Sequence, residues 1–496
     1  MRCPAEQAPM PPPGGGGETV VPYATTLVVD VDEPELVPRV PGESVRLLAQ
    51  VRVAVLDRAQ GDHADPGQLA LLIALDLAEH RRERMVTAMR AALAAMPSGA
   101  WFAVVTAAGG RGNGNGPMRY YPAEPGAWTP ADRQHRVNAA FAMGAAPLAA
   151  DGAPKSSGYE GWLGEARRMF AGCDRPLRRL LLVTDAGTGY EDASLTEELA
   201  ACGTSFTCEV VAVGTGWDYQ PLERIVSRLR GTADHAGPDF AAELAEAVRR
   251  ACRRAVPALP LEVTVRPGVR IESFVQFKPQ HLELAADPLS GPLRHVFHAL
   301  PWDPEGTGSD FLLDLRVDGA GDPLGEVLQF AMVSLGPQHE AVTARWRDPG
   351  LPPARTASSA SDETTGGSSR FLDSRNRMIA HLKKGLTCLE AGRRADAERH
   401  LGQAAAVAHR LRARWVLDEI EVWGDIHDAA AGSVSVSLPA DAHRVSVTLM
   451  RLGARSANEG TSRTAGRQHT ACPRPDCREP AVPGALYCVR CGEELS

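Results

Sequence analysis

At 496 residues, 44% of them apolar and 23% charged, the chain is long enough for roughly two to four domains with sizeable cores. Its net charge of −8 supplies no global attraction toward nucleic acid or an anionic membrane surface. The opening MRCPAEQAPMPPPGGGG lacks the apolar stretch of a signal peptide, and the run around LALLIAL is far shorter than a membrane helix requires, so a cytoplasmic protein with no membrane partner is expected.

Residues 1–21, rich in Pro and Gly, are predicted to be disordered. Within 22–58, TTLVVDV and SVRLLAQVRVAVL carry the pattern of β-strands. Between 67 and 256, strands and helices alternate. LALLIAL leads to Asp76 and a helix over Arg81–Met96, and WFAVVT (Trp101–Thr106) precedes amphipathic stretches near Asp132–Met143 and Gly158–Phe170. LLLVT leads to Asp185, a loop with Gly187 and Gly189, and the helical EDASLTEELA. SFTCEVVAVG (Ser205–Gly214) then precedes helices over Gln220–Leu229 and Phe240–Val256. In an open parallel sheet, ligands collect beyond the carboxyl ends of the strands, so Asp76 and Asp185 are expected to face a binding edge. The competing role for each is to cap the helix after its strand.

From 259 to 346, LEVTVR, RIESFVQF, LRHVFHAL, DFLLDLRV, EVLQFAMVSL and AVTARW, punctuated by Pro/Gly turns, read as short strands of an antiparallel sandwich. Residues 22–58 are too few to fold alone and are predicted to pair with them, which makes 67–256 an insertion. Residues 350–369 have the Ser, Thr, Gly and Pro content of a linker. Over 371–412, Ile379, Leu382, Leu386 and Leu389 mark one helix face, and Ala397, Leu401, Ala404, Ala408 and Leu411 mark a second. This hairpin is similar to one tetratricopeptide repeat. One repeat cannot bury its own face, so it is predicted to pack on the sandwich or on a partner. GSVSVSL and RVSVTLMRL, within 413–452, read as terminal strands, and 453–470 as a polar tether.

The alternation over 67–256, with VVAVGTGWDYQPLERIVSRLRGTADHA its most family-like segment, resembles a von Willebrand factor A (VWA) domain. The whole layout is similar to VWA-domain proteins of actinobacteria. The resemblance implies a Rossmann-like fold with a metal-ion-dependent adhesion site, built from Asp-x-Ser-x-Ser after the first strand, a central-loop Thr and an Asp after the fourth strand. Here those positions read Asp76, Ala78, His80, Ser157 and Asp185. Mg²⁺ wants a near-octahedral set of oxygens, whereas Ala78 supplies none and His80 offers a nitrogen suited to softer metals. A degenerate site without Mg²⁺ is therefore expected. Tyr159, Tyr190 and Arg81, of types enriched at interface hot spots, are the expected partner-binding residues on that edge.

Of ten cysteines, Cys472, Cys477, Cys488 and Cys491 cluster at the end as C-x4-C-x10-C-x2-C. In a chain without an export signal, such clustering argues for metal ligation over disulfides. The knuckles CPRPDC and CVRCG can turn four thiolates onto one tetrahedral Zn²⁺, giving a compact structural zinc ribbon over 471–496 that folds only with its metal. Cys202 and Cys208 are expected to be buried free thiols.

The fold class expected is thus α/β: a Rossmann-like VWA domain inserted in a β-sandwich, followed by a helical hairpin and a small C-terminal zinc ribbon. GGRGNGNG (Gly109–Gly116) precedes PMRYYP and no helix, so it lacks the helix N-terminus that a phosphate loop needs. No catalytic motif stands out, and a non-enzymatic scaffold for a protein partner is expected. Two alternatives stay open: an Mg²⁺-dependent VWA ligand-binding protein, and a nucleic-acid-associated zinc ribbon. The latter is weakened because Tyr487 is the sole aromatic among the arginines of the tail.

Overall fold

The computed structural model describes residues 25–31, 35–36, 44–55, 66–77, 81–107, 118–145, 158–185, 191–237, 239–253, 260–278, 281–287, 290–299, 308–319, 321–347, 369–437 and 442–454. The expectations for 1–21, for the loop 109–116, for the tether and for the zinc ribbon lie outside them, as does the linker up to residue 368.

Strands β1 (Thr25–Asp30), β2 (Glu35–Leu36) and β3 (Val45–Val55) come first. An α/β domain follows: β4 (Leu69–Asp76), α1 (Arg82–Ala95), β5 (Trp101–Ala107), β6 (Met118–Tyr121), β7 (Thr129–Pro130), α2 (Arg133–Ala145), α3 (Tyr159–Ala171), β8 (Leu177–Thr184), α4 (Asp192–Cys202), β9 (Thr207–Val213), α5 (Tyr219–Arg228), β10 (Ala233–Ala236) and α6 (Phe240–Arg253). Its sheet has the order β10-β9-β8-β4-β5-β6, with β7 beside β5. The strands from β10 to β5 run parallel, and β6 and β7 antiparallel. LALLIAL is apolar throughout because helices cover both faces of a central parallel strand. Leu69, Leu71, Ile73 and Leu75 enter one core and Ala70, Leu72 and Ala74 the other.

The chain then forms β11 (Pro260–Val265), β12 (Val269–Gln276), β13 (Leu282–Glu283), β14 (Arg294–His298), β15 (Ser309–Val317), β16 (Val327–Leu335) and β17 (Gln338–Trp346). These join the N-terminal strands in two five-stranded sheets, β1-β3-β15-β12-β13 and β14-β11-β16-β17-β2. β3 pairs antiparallel with β15 from Val45↔Val317 to Val53↔Ser309, and β2 lies parallel to β17. The α/β domain is therefore an insertion between strands that share sheets. Phe274, Phe297, Phe311, Phe330 and Trp346 fill the space between the sheets.

Helices α7 (Ser369–Glu390), α8 (Arg394–Leu411) and α9 (Arg414–Glu421), the hairpin β18 (Gly424–Asp428)/β19 (Ser433–Val436) and α10 (Ala442–Ala454) complete the described chain. The α7–α8 pair packs on both bodies. Its apolar face and α10 merge with the α3–α5 side of the inserted domain into one cluster, which joins Leu382, Leu401 and Val445 to Trp217, Leu222 and Ile225. At its other end, Leu372 meets Val275, Phe277 and Leu312 of the sandwich. Arg46 of β3 grips Asp314 (Nη2–Oδ2, 2.6 Å) and Asp373 of α7 (Nη2–Oδ1, 2.6 Å), and Arg377 closes on the same Asp373.

RVSVTLMRL, read from sequence as a strand, is helical in α10, and Arg414–Glu421 is helical too. Alternating Val and Thr favour a strand, but Val445, Leu449, Met450 and Leu452 lie on one helical face and are all buried. Burying each is worth about 1.5–3 kcal/mol, more than the strand preference of these residues.

Candidate functional site

Asp76 and Asp185 end adjacent parallel strands and stand side by side. Asp76 pairs in register with Thr184, and the Asp185 amide donates to the Asp76 carbonyl at 3.1 Å. The Thr184 hydroxyl donates to Asp76 Oδ2 at 2.8 Å, and Thr106, near the end of β5, donates to the Leu75 carbonyl at 3.2 Å. All four side chains are buried. The residues flanking α1 and α4 at that end are Arg81 and Glu191.

Arg81, just before α1, is turned onto this pair. Its Nε lies 3.7 Å from Asp185 Oδ2, is buried, and makes no hydrogen bond. The guanidinium rests against Gly214, at φ +74 just after β9, where an added Cβ would collide with Nη2. Glycine at 214 thus serves both the left-handed turn and the approach of a cation. The Gly214 carbonyl accepts from Trp217 Nε1 (2.9 Å) and His235 Nε2 (3.2 Å). The rings of Trp217 and His235 pack against His443 of α10 with centroids 5.3 and 5.6 Å away, so the last helix abuts the same edge. Asp76 and Asp185 are thus brought together with Arg81. Ala78, His80, Ser157 and Tyr190 lie outside the described residues, as do Cys472, Cys477, Cys488 and Cys491.

Tyr159 is not a contact residue of this edge. It is 1% exposed and sits in the domain core with Trp162, Leu163 and Ala166. The spacing Tyr159, Trp162, Leu163, Ala166 is that of a helix's apolar stripe and could have revealed this. Sequence reasoning also passed over Thr184, Thr106 and Gly214, although Thr184 directly precedes Asp185. Among the described residues, no group of three or more His, Cys, Asp or Glu side chains is arranged to hold a metal, and no helix is long and apolar enough to cross a membrane. Cys202 and Cys208 are buried free thiols, and burial pushes Cys202 up to about 12.

A solved von Willebrand factor type A protein from Catenulispora acidiphila matches 87% of this chain and 97% of its own length, with a TM-score of 0.69 at 18% identity. The chain has a VWA fold. The ArnB paralog VWA2 from Sulfolobus acidocaldarius covers 87% of this chain and 99% of its own, with a TM-score of 0.50 at 10% identity. At such identities the likeness concerns the fold alone. The matched share is far larger than residues 67–256, so it takes in structure outside the VWA domain. No protein-family model and no curated protein sequence matches the chain.

Proposed function

We propose that the chain is a non-enzymatic interaction scaffold whose VWA strand-end edge engages a protein partner without a bound cation. A zinc ribbon held by Cys472, Cys477, Cys488 and Cys491 would be its second docking module. What supports the first part is Arg81: the positive charge facing Asp185 comes from the chain itself. A guanidinium so close to Asp185 repels a divalent ion and partly offsets the carboxylate that would attract one. Ala78, without an oxygen, works in the same direction. Arg81 and Tyr190 are the side chains proposed to face the partner.

The second reading, an Mg²⁺-dependent ligand site, draws on the adjacency of Asp76, Thr184 and Asp185. Thermal unfolding with and without millimolar Mg²⁺ separates the two, because a ion bound to the native state raises the midpoint. The wild-type midpoint is expected to stay put. Arg81→Ala combined with Ala78→Ser and His80→Ser is expected to acquire an Mg²⁺ shift. A wild-type shift abolished by Asp185→Ala would establish the second reading instead.

A further inference from the structure

Where the VWA domain, the sandwich and the helical layer meet, they leave a cavity of about 290 Å³. α5 of the VWA domain, the start of β13 in the sandwich, and α7 and α10 each supply part of its wall. That volume is the liquid share of on the order of ten water molecules, which is room for a molecule about the size of leucine. Val226, Leu282, Ile379 and Met450 give the wall a buried apolar part.

The polar part is a network with spare capacity. Glu223 Oε1 accepts from the Tyr219 hydroxyl at 2.7 Å and from Lys383 Nζ at 2.8 Å. Burial first, and then the Glu223 charge, push the Tyr219 phenol well above its ordinary value, so it stays a donor. Both bonds fall on one oxygen. Among the described residues, Glu223 Oε2 therefore has no partner, and Lys383 keeps donors to spare. On the sandwich side, His281 Nε2 donates to Asn376 Oδ1 at 2.9 Å, which occupies the carbonyl of that amide and leaves its NH₂ available. Burial keeps His281 neutral at pH 7, so Lys383 is the one cation among the described lining residues.

A carboxylate that only accepts and an ammonium that only donates, joined at 2.8 Å, are complementary to a ligand carrying the same two groups in the opposite sense. A simple anion would be set against Glu223 and a simple cation against Lys383, whereas a zwitterion completes an alternating ring of four charges. The pair also rearranges readily around a guest: the Lys383 and Glu223 side chains are 27% and 39% exposed, and pairs open to water hold together weakly. Glu283, exposed at the rim, adds a second carboxylate that favours entry with the ammonium first. We propose that this cavity binds a free α-amino acid with an aliphatic side chain, whose carboxylate accepts from Lys383 and Asn376, whose ammonium donates to Glu223, and whose side chain lies against Leu282, Ile379 and Met450. Its walls come from all three bodies, so an occupant would tie them together. The site shares no residue with the Asp76–Asp185 edge and does not depend on how that edge is used.

The test is isothermal titration calorimetry of the full chain near neutral pH with L-leucine and with two fragments that each lack one of its charges, 3-methylbutylamine and 4-methylpentanoate. Leucine should bind at one per chain, and each fragment roughly ten- to a hundredfold more weakly, the effect of losing a charge-assisted hydrogen bond. Lys383→Met should erase the advantage of leucine over the amine, and Glu223→Gln its advantage over the acid, whereas a purely structural role for either residue would weaken all three ligands alike. Ala380→Phe, at an exposed lining position of α7, should block leucine while the melting temperature stays near that of the wild type. Absence of leucine binding at millimolar concentration, a fragment that binds as tightly as leucine, or undiminished binding in Ala380→Phe overturns the proposal. Should either charge variant not fold, Ala380→Phe decides alone.

Discussion

Mild acid should loosen the seam where α7 joins the sandwich to the VWA domain, and His281 sets the size of the effect. His281 lines a cavity of about 290 Å³ with Tyr219, Glu223, Asn376, Lys383 and Met450, and its Nε2 lies 2.9 Å from Asn376 Oδ1 of α7. Burial first, then the charges of Lys383 and Arg375, lower it from 6.5 to about 4, against the hydrogen bond that Nε2 donates to Asn376. In the folded chain the imidazole therefore stays neutral below pH 6.5, while in the unfolded chain it takes up a proton there. The depressed value means that its contribution is fully present above pH 6.5 and is lost as the pH falls from 6.5 toward 4. Each pH unit in that interval costs about 1.4 kcal/mol, so the loss reaches on the order of 3 kcal/mol at pH 4. His281→Gln keeps an amide for Asn376 and cannot titrate. Urea unfolding at several pH values should give the wild type a steeper decline than the variant between pH 6.5 and 4.5, and other histidines cancel in the difference. Equal slopes in both proteins would refute the reasoning.

Two further outcomes are expected. Purified protein should contain one zinc per chain, measured by elemental analysis, and Cys488→Ser with Cys491→Ser should lose it. Asp373→Asn should lower stability by about 1–2 kcal/mol in denaturant titration, a modest figure because Arg46 is 38% exposed and retains Asp314. Burial alone would raise the Asp373 carboxyl, but Arg46 and Arg377 override it and hold it below the ordinary range. Its contribution is thus present above that range and disappears only as the pH falls through the lowered value, where variant and wild type should converge.

The parts of the fold legible in the sequence were those where burial writes a pattern. LALLIAL and LLLVT are apolar because both faces of the central strands are covered, so Asp76 and Asp185 stood out as the residues that end them. The half-buried sandwich strands alternate, which made the pairing of β3 with later strands readable. Short elements escaped. β6, β7 and β10 span four residues or fewer and leave no period to detect. In α10 the β-branched residues point to a strand, and only the apolar surface left open by α5, β10 and α7 makes them helical. At the site, the motif with Ala78 and His80 in place of serines led to the expectation of poor Mg²⁺ binding. The sequence did not show that Arg81 turns inward, because that orientation depends on Gly214 from a distant strand.

The course of α10 bears on how two docking modules could act together. His443, in its first turn, packs beside the carboxyl edge of the VWA sheet, while Met450 lines the cavity that also contains His281 of the sandwich. The helix therefore runs away from the Asp185 edge, and at about 1.5 Å per residue its end lies on the order of 15–20 Å from its start. For the tether expected from the composition of 453–470, a root-mean-square span of about 20–25 Å follows from its length. A partner that contacts both the Arg81 edge and the proposed ribbon would then bind the second site at the effective concentration set by that tether. A tether too short to span the two sites would abolish the second contact, whereas a longer one would weaken it only gradually.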